Sequence, residues 1–231
     1  MKRKQRTGFG SFGKMELSFL EGTIISSFFP EGKEMTIKEI IERTEDSYER
    51  ANFALKSLTE KNIVKEDKKG KTLVYSLDLN HLYAEIGFDH YMLDREIEFM
   101  KKHRVLYNAI KEIINNHFIW MVILFGSYSK GTESKQSDVD IICVSNKKKE
   151  IEHFVKSLKY KYNLEFAPVV LPLDEFPNIK KDNPELWNDL KHFGIIFKGE
   201  DFFYSLAYKN DKTLGTLFFK ALSISMPVFF S

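Results

Sequence analysis

The sequence predicts an α+β fold, and three observations predict it. In the N-terminal half, helical patterns are followed by an apparent β-hairpin. From about residue 118 onward, short apolar runs alternate with amphipathic helical patterns. No apolar run reaches the ~18 residues that a membrane-spanning helix needs, and the hydrophobic fraction of 43% is enough to build a core.

The elements follow in order. Residues 1–13, "MKRKQRTGFGSFG", read as a flexible basic arm; they lack the apolar stretch of a secretory signal. "LSFLEGTIISSFF" has apolar residues at helical spacing, broken by "EGK". "MTIKEIIERT" is a second helix, with Thr36 as cap, Glu39 as its capping-box partner and a stripe of Ile37, Ile40 and Ile41. After the turn "TED", the segment "SYERANFALKSLTEKN" is a third helix, capped by Asp46 or Ser47 and stopped at Asn62, a residue that tolerates the left-handed conformation. "IVKEDKKGKTLVYSLDL" is two short strands around "KKGK". Helix, helix, short turn, helix and hairpin make residues 14–80 a winged helix-turn-helix domain. The "GKT" at Gly70–Thr72 is no phosphate loop, because the glycine required five residues earlier is Lys65.

Residues 81–116 read as a helical connector with room for a break at Gly87, and as a possible dimer seam. Residues 117–208 form a second domain. In it "FIWMVILFGS" is a strand buried on both faces, "SDVDIICV" a second strand and "LEFAPVVL" a third, and "NPELWNDLKHFGIIFKGEDFFYSLAY" supplies a helix, a short strand and a helix. Residues 209–231 are apolar, interrupted by Pro227, and are expected to pack on the domain or on a partner protomer.

Lys and Arg number 35 and Asp and Glu 33, a net charge of +2 that does not announce nucleic-acid binding. The single Cys143 excludes an internal disulfide framework and points to a reducing cytoplasm. The six histidines do not pair at ligand spacing.

The chemistry concentrates in "LFGSYSKGTESKQSDVDIICV", residues 124–144. Strand alternation puts Asp138 and Asp140 on one face and Val139, Ile141 and Cys143 on the other. Two adjacent carboxylates repel each other and resist burial unless a cation lies between them, and hard oxygen ligands favour Mg²⁺. The Gly126–Ser127 turn lets backbone approach a ligand, and the amides after it can cradle phosphate.

This stretch resembles the signature of the DNA polymerase β-like nucleotidyltransferase superfamily, and most closely its minimal prokaryotic type. Gly126, Ser127, Gly131, Ser137, Asp138 and Asp140 match it in type and spacing. The resemblance covers roughly residues 120–208 and implies a mixed sheet with flanking helices. It also implies a third carboxylate, for which Glu165 is the best match and Asp174 and Glu175 are fallbacks. On that basis two Mg²⁺ ions about 4 Å apart clamp a nucleoside triphosphate. Asp138, Asp140 and Glu165 are then the catalytic and metal-binding residues. Gly126, Ser127, Lys130, Gly131 and Ser137 hold the nucleotide.

Two functions follow. The first is Mg-dependent transfer of a nucleoside monophosphate from an NTP to a protein or other acceptor, such as a HEPN-type toxin, by a chain that also binds DNA. The second is a transcriptional regulator whose nucleotidyltransferase-like part only senses nucleotide or mediates dimerisation. Antibiotic nucleotidylation and templated polymerisation rank lower, since little chain follows Tyr208. In the winged helix, Arg50 and Asn52 are placed to reach base edges, and Lys68, Lys69 and Lys71 to meet the backbone of double-stranded DNA. Thr36–Leu77 holds nine Lys/Arg against eight Asp/Glu, so this footprint is local. A homodimer, with its doubled contacts, is expected.

Overall fold

A computed structural model of the protein describes residues 16–209; the basic arm and the apolar segment after Lys209 lie outside the described residues. The N-terminal unit runs α1 (Phe19–Ser27), β1 (Met35–Thr36), α2 (Ile37–Thr44), α3 (Tyr48–Glu60), β2 (Val64–Lys69) and β3 (Thr72–Leu77). The three strands form one antiparallel sheet in the order β1–β3–β2. Thr36 and Glu39 close a reciprocal capping box, and Ser47 caps α3 by accepting from the Arg50 amide. Asn62 has φ +58°, the left-handed stop its position suggests. The two-residue β1 pairs Met35 with Tyr75 and is too short to leave a sequence pattern.

Helices α4 (Leu82–Lys102) and α5 (Arg104–Ile114) follow. The possible break at Gly87 does not occur: α4 runs through it without interruption. The glycine serves close packing instead. A Cβ on Gly87 would lie 2.3 Å from Ile25 Cγ2 of α1, and Ser26 Oγ donates to the Gly87 carbonyl at 3.0 Å.

The remaining elements are β4 (Met121–Leu124), α6 (Gly126–Lys130), β5 (Val139–Val144), α7 (Lys148–Ser157), α8 (Lys159–Tyr162), β6 (Phe166–Leu171), a 3-10 turn (Phe176–Asn178), α9 (Ile179–Asp182), α10 (Pro184–Phe193), β7 (Ile195–Lys198) and α11 (Glu200–Tyr208). The sheet order is β6–β5–β4–β7; β4 is antiparallel to both neighbours, and β5 and β6 are parallel across the α7–α8 crossover. The fold is thus mixed α+β.

Both faces of this sheet are covered. Val122, Leu124, Val139, Ile141 and Cys143 pack with α5 and α7. Met121, Ile123, Ile142 and Val144 share a second core with α10, α11, α4 and the N-terminal unit. The 14–80 and 117–208 segments therefore meet through one continuous apolar cluster, not through a linker alone. Tyr204 Oη donates to the Leu79 carbonyl and Tyr208 Oη to that of Pro30, each at 2.7 Å.

Candidate functional site

The site forms where β4 ends and β5 begins. The Phe125 amide donates to the Asp140 carbonyl at 3.0 Å, which carries the strand pairing one step past β4. The chain then turns at Gly126, whose φ is +70°. A Cβ there would lie 2.1 Å from Asp140 Oδ2, so the Asp140 carboxylate sits in space that only glycine leaves. A positive φ and a carboxylate against Cα together explain why this position is glycine.

Asp140 is half-buried and Asp138 is exposed. Burial, followed by the neighbouring Asp138 charge, raises the Asp140 pKa above its ordinary value. Two nearby carboxylates, one of them against a glycine turn, are a donor set suited to Mg²⁺. That ion is commonly held by one or two carboxylates, with substrate phosphates and water filling the other positions.

The structure disposes the other candidates unequally. Ser127 and Gly131 are on α6, where the Gly131 and Thr132 amides donate to the Ser127 carbonyl. Ser129 Oγ donates to the Gly126 carbonyl at 3.1 Å and braces the turn. Ser137 Oγ accepts from the Ser134 amide at 2.9 Å, so it shapes the loop leading to Asp138. Lys130 Nζ is 2.6 Å from Asp189 Oδ2 of α10. Pairs this exposed are worth only about 0–1 kcal/mol, so a phosphate can compete for the lysine.

Glu165 lies just before β6, and its carbonyl accepts from the Val139 amide at 2.8 Å. Its side chain is 66% exposed and lies 3.6 Å from Lys159 Nζ. The residue registered beside Asp140 on β6 is Ala167. Asp174 and Glu175 are exposed in the turn after β6. Among the described residues, no group of three or more His, Cys, Asp or Glu side chains is arranged to hold a metal. The structure thus sets Asp140 against the Gly126 turn with the Asp138 charge near it, and points the Glu165 carboxylate to Lys159.

Sequence reading missed a neighbouring cluster. His103, between α4 and α5, places Nε2 3.4 Å from Glu133 Oε1, and its ring meets that of Tyr128 edge-on at 5.5 Å. Burial first, then the charges of Glu133 and Asp138, push the Tyr128 phenol up. No spacing links residue 103 to residue 133, so only the fold reveals this support behind α6.

In the N-terminal unit, Arg50 lies 3.1 Å from Asp46 and Lys69 pairs with Glu34. Lys68 and Lys71 are exposed at the hairpin tip, and Asn52 is half-buried on α3.

Residues 107–186 match the family model of the nucleotidyltransferase domain. The match begins in α5, ends in α10, and contains Gly126, Ser127, Asp138, Asp140 and Glu165. A protein of Methanocaldococcus jannaschii, named provisionally as a protein adenylyltransferase, is 27% identical over 89 residues, covering 35% of this chain. The chain spans 60% of that relative's length. A chain from a crystal structure titled as a toxin-antitoxin with AMP-PNP overlays with a TM-score of 0.34 and 19% identity, over 51% of this chain and 93% of its own. A likeness that weak carries no argument.

Proposed function

We propose that the protein is a Mg²⁺-dependent nucleotidyltransferase that moves a nucleoside monophosphate from an NTP to a protein acceptor. The observation that carries this reading is Asp140 set against the Gly126 turn, with Asp138 two residues before it, inside the nucleotidyltransferase match. The Methanocaldococcus relative's name supports adenylate as the group moved and protein as the acceptor. When bound, Mg²⁺ supplies neutralisation of triphosphate charge. Asp138 and Asp140 would hold it, Ser127 and the following amides would seat the distal phosphates, and Lys130 would leave Asp189 for a phosphate oxygen. The acceptor hydroxyl oxygen would then bond to the α-phosphorus, the α–β phosphoanhydride bond would break to release pyrophosphate, and the hydroxyl proton would pass to solvent.

The test is incubation with each α-labelled NTP, with and without Mg²⁺, in host lysate. Mg²⁺-dependent label on a protein, lost in Asp138→Asn, supports transfer; label that persists in that variant overturns the metal assignment.

A second reading is favoured by one observation, the outward disposition of Glu165. With two carboxylates gathered and not three, the domain would bind nucleotide without transferring it and act as a sensor. Nucleotide heat in calorimetry without labelling of any acceptor selects this reading. In either case the N-terminal unit is taken as a winged helix-turn-helix, with Arg50, Asn52 and the hairpin lysines docking on double-stranded DNA once Arg50 and Lys69 leave their carboxylates.

A further inference from the structure

Helix α1 packs one face on the core and leaves a large apolar side chain of another face uncovered. Its inner face has cover, with Ile24 and Ile25 fully buried. Its outer face does not: Phe19 is 92% exposed. Between α1 and α4 lies a groove of about 450 Å³ lined by Leu17, Phe19, Thr23, Tyr83, Ile86 and His90. Beside it Leu82, Ile86 and Leu93 form an exposed apolar row along α4.

We propose that residues 210–231 of the same chain cover this groove. Three observations choose this occupant. The described chain ends at α4 itself, where Lys209 Nζ bonds Glu85 Oε2 at 2.7 Å, next in sequence to Ile86. The segment beyond has the matching chemistry: Leu214, Leu217, Phe218, Ala221 and Leu222 recur at i, i+3, i+4, i+7 and i+8, and Lys220 is the only charged side chain from Thr213 onward. The reach also suffices. Five residues from Lys209 to Leu214 span up to about 17 Å, more than the ~10–12 Å diameter of the helix they must cross. An apolar segment and an apolar face that start from one helix cover each other without a partner. This inference does not depend on the nucleotidyltransferase reading, and its test uses no nucleotide.

The experiment follows tryptic cleavage at Lys212 and Lys220 in full-length protein by intact mass, beside light scattering. Phe19→Glu changes a groove side chain that is 92% exposed in the described residues, so the fold is kept. Cleavage in this variant is expected to be about tenfold faster than in wild type, since proteolysis follows the open population. Wild-type protection should not change on dilution, because the docking is intramolecular. Leu217→Glu/Phe218→Glu alters the segment and not the groove, and should accelerate cleavage equally. Equal rates in wild type and both variants overturn the proposal. So does protection that fades on dilution as a dimer dissociates, which gives the groove to a second copy.

Discussion

Gly126 and Asp140 share one volume, and the site depends on that sharing. Gly126→Ala would put a methyl where Asp140 Oδ2 lies, at a φ of +70°. Left-handed backbone alone costs a side-chain-bearing residue about 1–2 kcal/mol. The variant should melt lower and lose Mg²⁺-nucleotide binding together, as paired scanning and titration calorimetry would show. Asp140→Asn should act in the opposite sense on stability. Because the folded pKa of Asp140 is raised, the folded state keeps a proton that the unfolded chain has released. Stability therefore falls as pH rises from the ordinary value through the raised one, and at neutral pH the charged carboxylate is a cost. Without metal the Asn variant should melt level with wild type or higher, while its stabilisation by Mg²⁺ and NTP shrinks. Glu21 provides the contrasting sign. Burial would raise its pKa, but Lys61, bonded at 2.5 Å, and the Ser18 amide outweigh burial and bring it down from 4.5 to about 2. Its contribution is present above 4.5 and is lost as pH falls toward 2. Urea midpoints between those pH values should drop in wild type and stay flatter in Glu21→Gln.

Elements were legible where one residue type has one physical use. The Thr36–Glu39 capping box, the left-handed Asn62 and the doubly buried β4 follow from local chemistry, and the structure contains them. The sequence also sets Asp138 and Asp140 near a Gly-Ser turn, and in the structure Asp140 lies against Gly126. Gly87 was not legible, because glycine permits either a break or a close contact, and only the position of Ile25 decides between them. Spacing leaves the side-chain direction of Glu165 open: its carbonyl pairs with the Val139 amide at the start of β5, while its exposed carboxylate lies by Lys159. Gly87→Ala tests the packing role of that glycine. Helix propensity alone would gain about 1 kcal/mol. A Cβ 2.3 Å from Ile25 Cγ2 instead forces the two helices apart, at about 1–3 kcal/mol. The denaturation midpoint should fall; a rise would show that α1 is free to shift. The hairpin lysines test the opposite end of the unit. If Lys68, Lys69 and Lys71 contact DNA phosphates, replacing all three with Ala should lower the salt slope of binding by roughly three units. An unchanged slope in a fluorescence titration would assign the hairpin another role.

At the scale of the whole molecule, the N-terminal unit and the nucleotidyltransferase match are joined by an aromatic cluster. Phe88 of α4 stacks on Phe203 of α11 at 6.2 Å and meets Tyr208 at 5.5 Å and Phe29 at 5.3 Å. Phe88 and Phe203 are fully buried, so separating the two units would expose a core and not a polar interface. Independent domains joined by a linker should unfold in two steps, whereas domains that share a core should unfold in one. A single calorimetric transition is expected, with equal calorimetric and van't Hoff enthalpies. Nucleotide and Mg²⁺ bound at Asp138 and Asp140 should then protect amides in α3 and β2 as strongly as amides in β5. Ligand stabilisation of about 2.7 kcal/mol at a hundredfold excess over Kd is shared by everything that unfolds together. Phe88→Ala should lose about 3–5 kcal/mol of packing and split the transition, with the N-terminal unit melting first and no longer responding to nucleotide. Two transitions in the wild type, or nucleotide protection confined to the second half of the chain, would show that the cluster does not couple the two units. Whatever binds the hairpin would then be independent of what binds the aspartates.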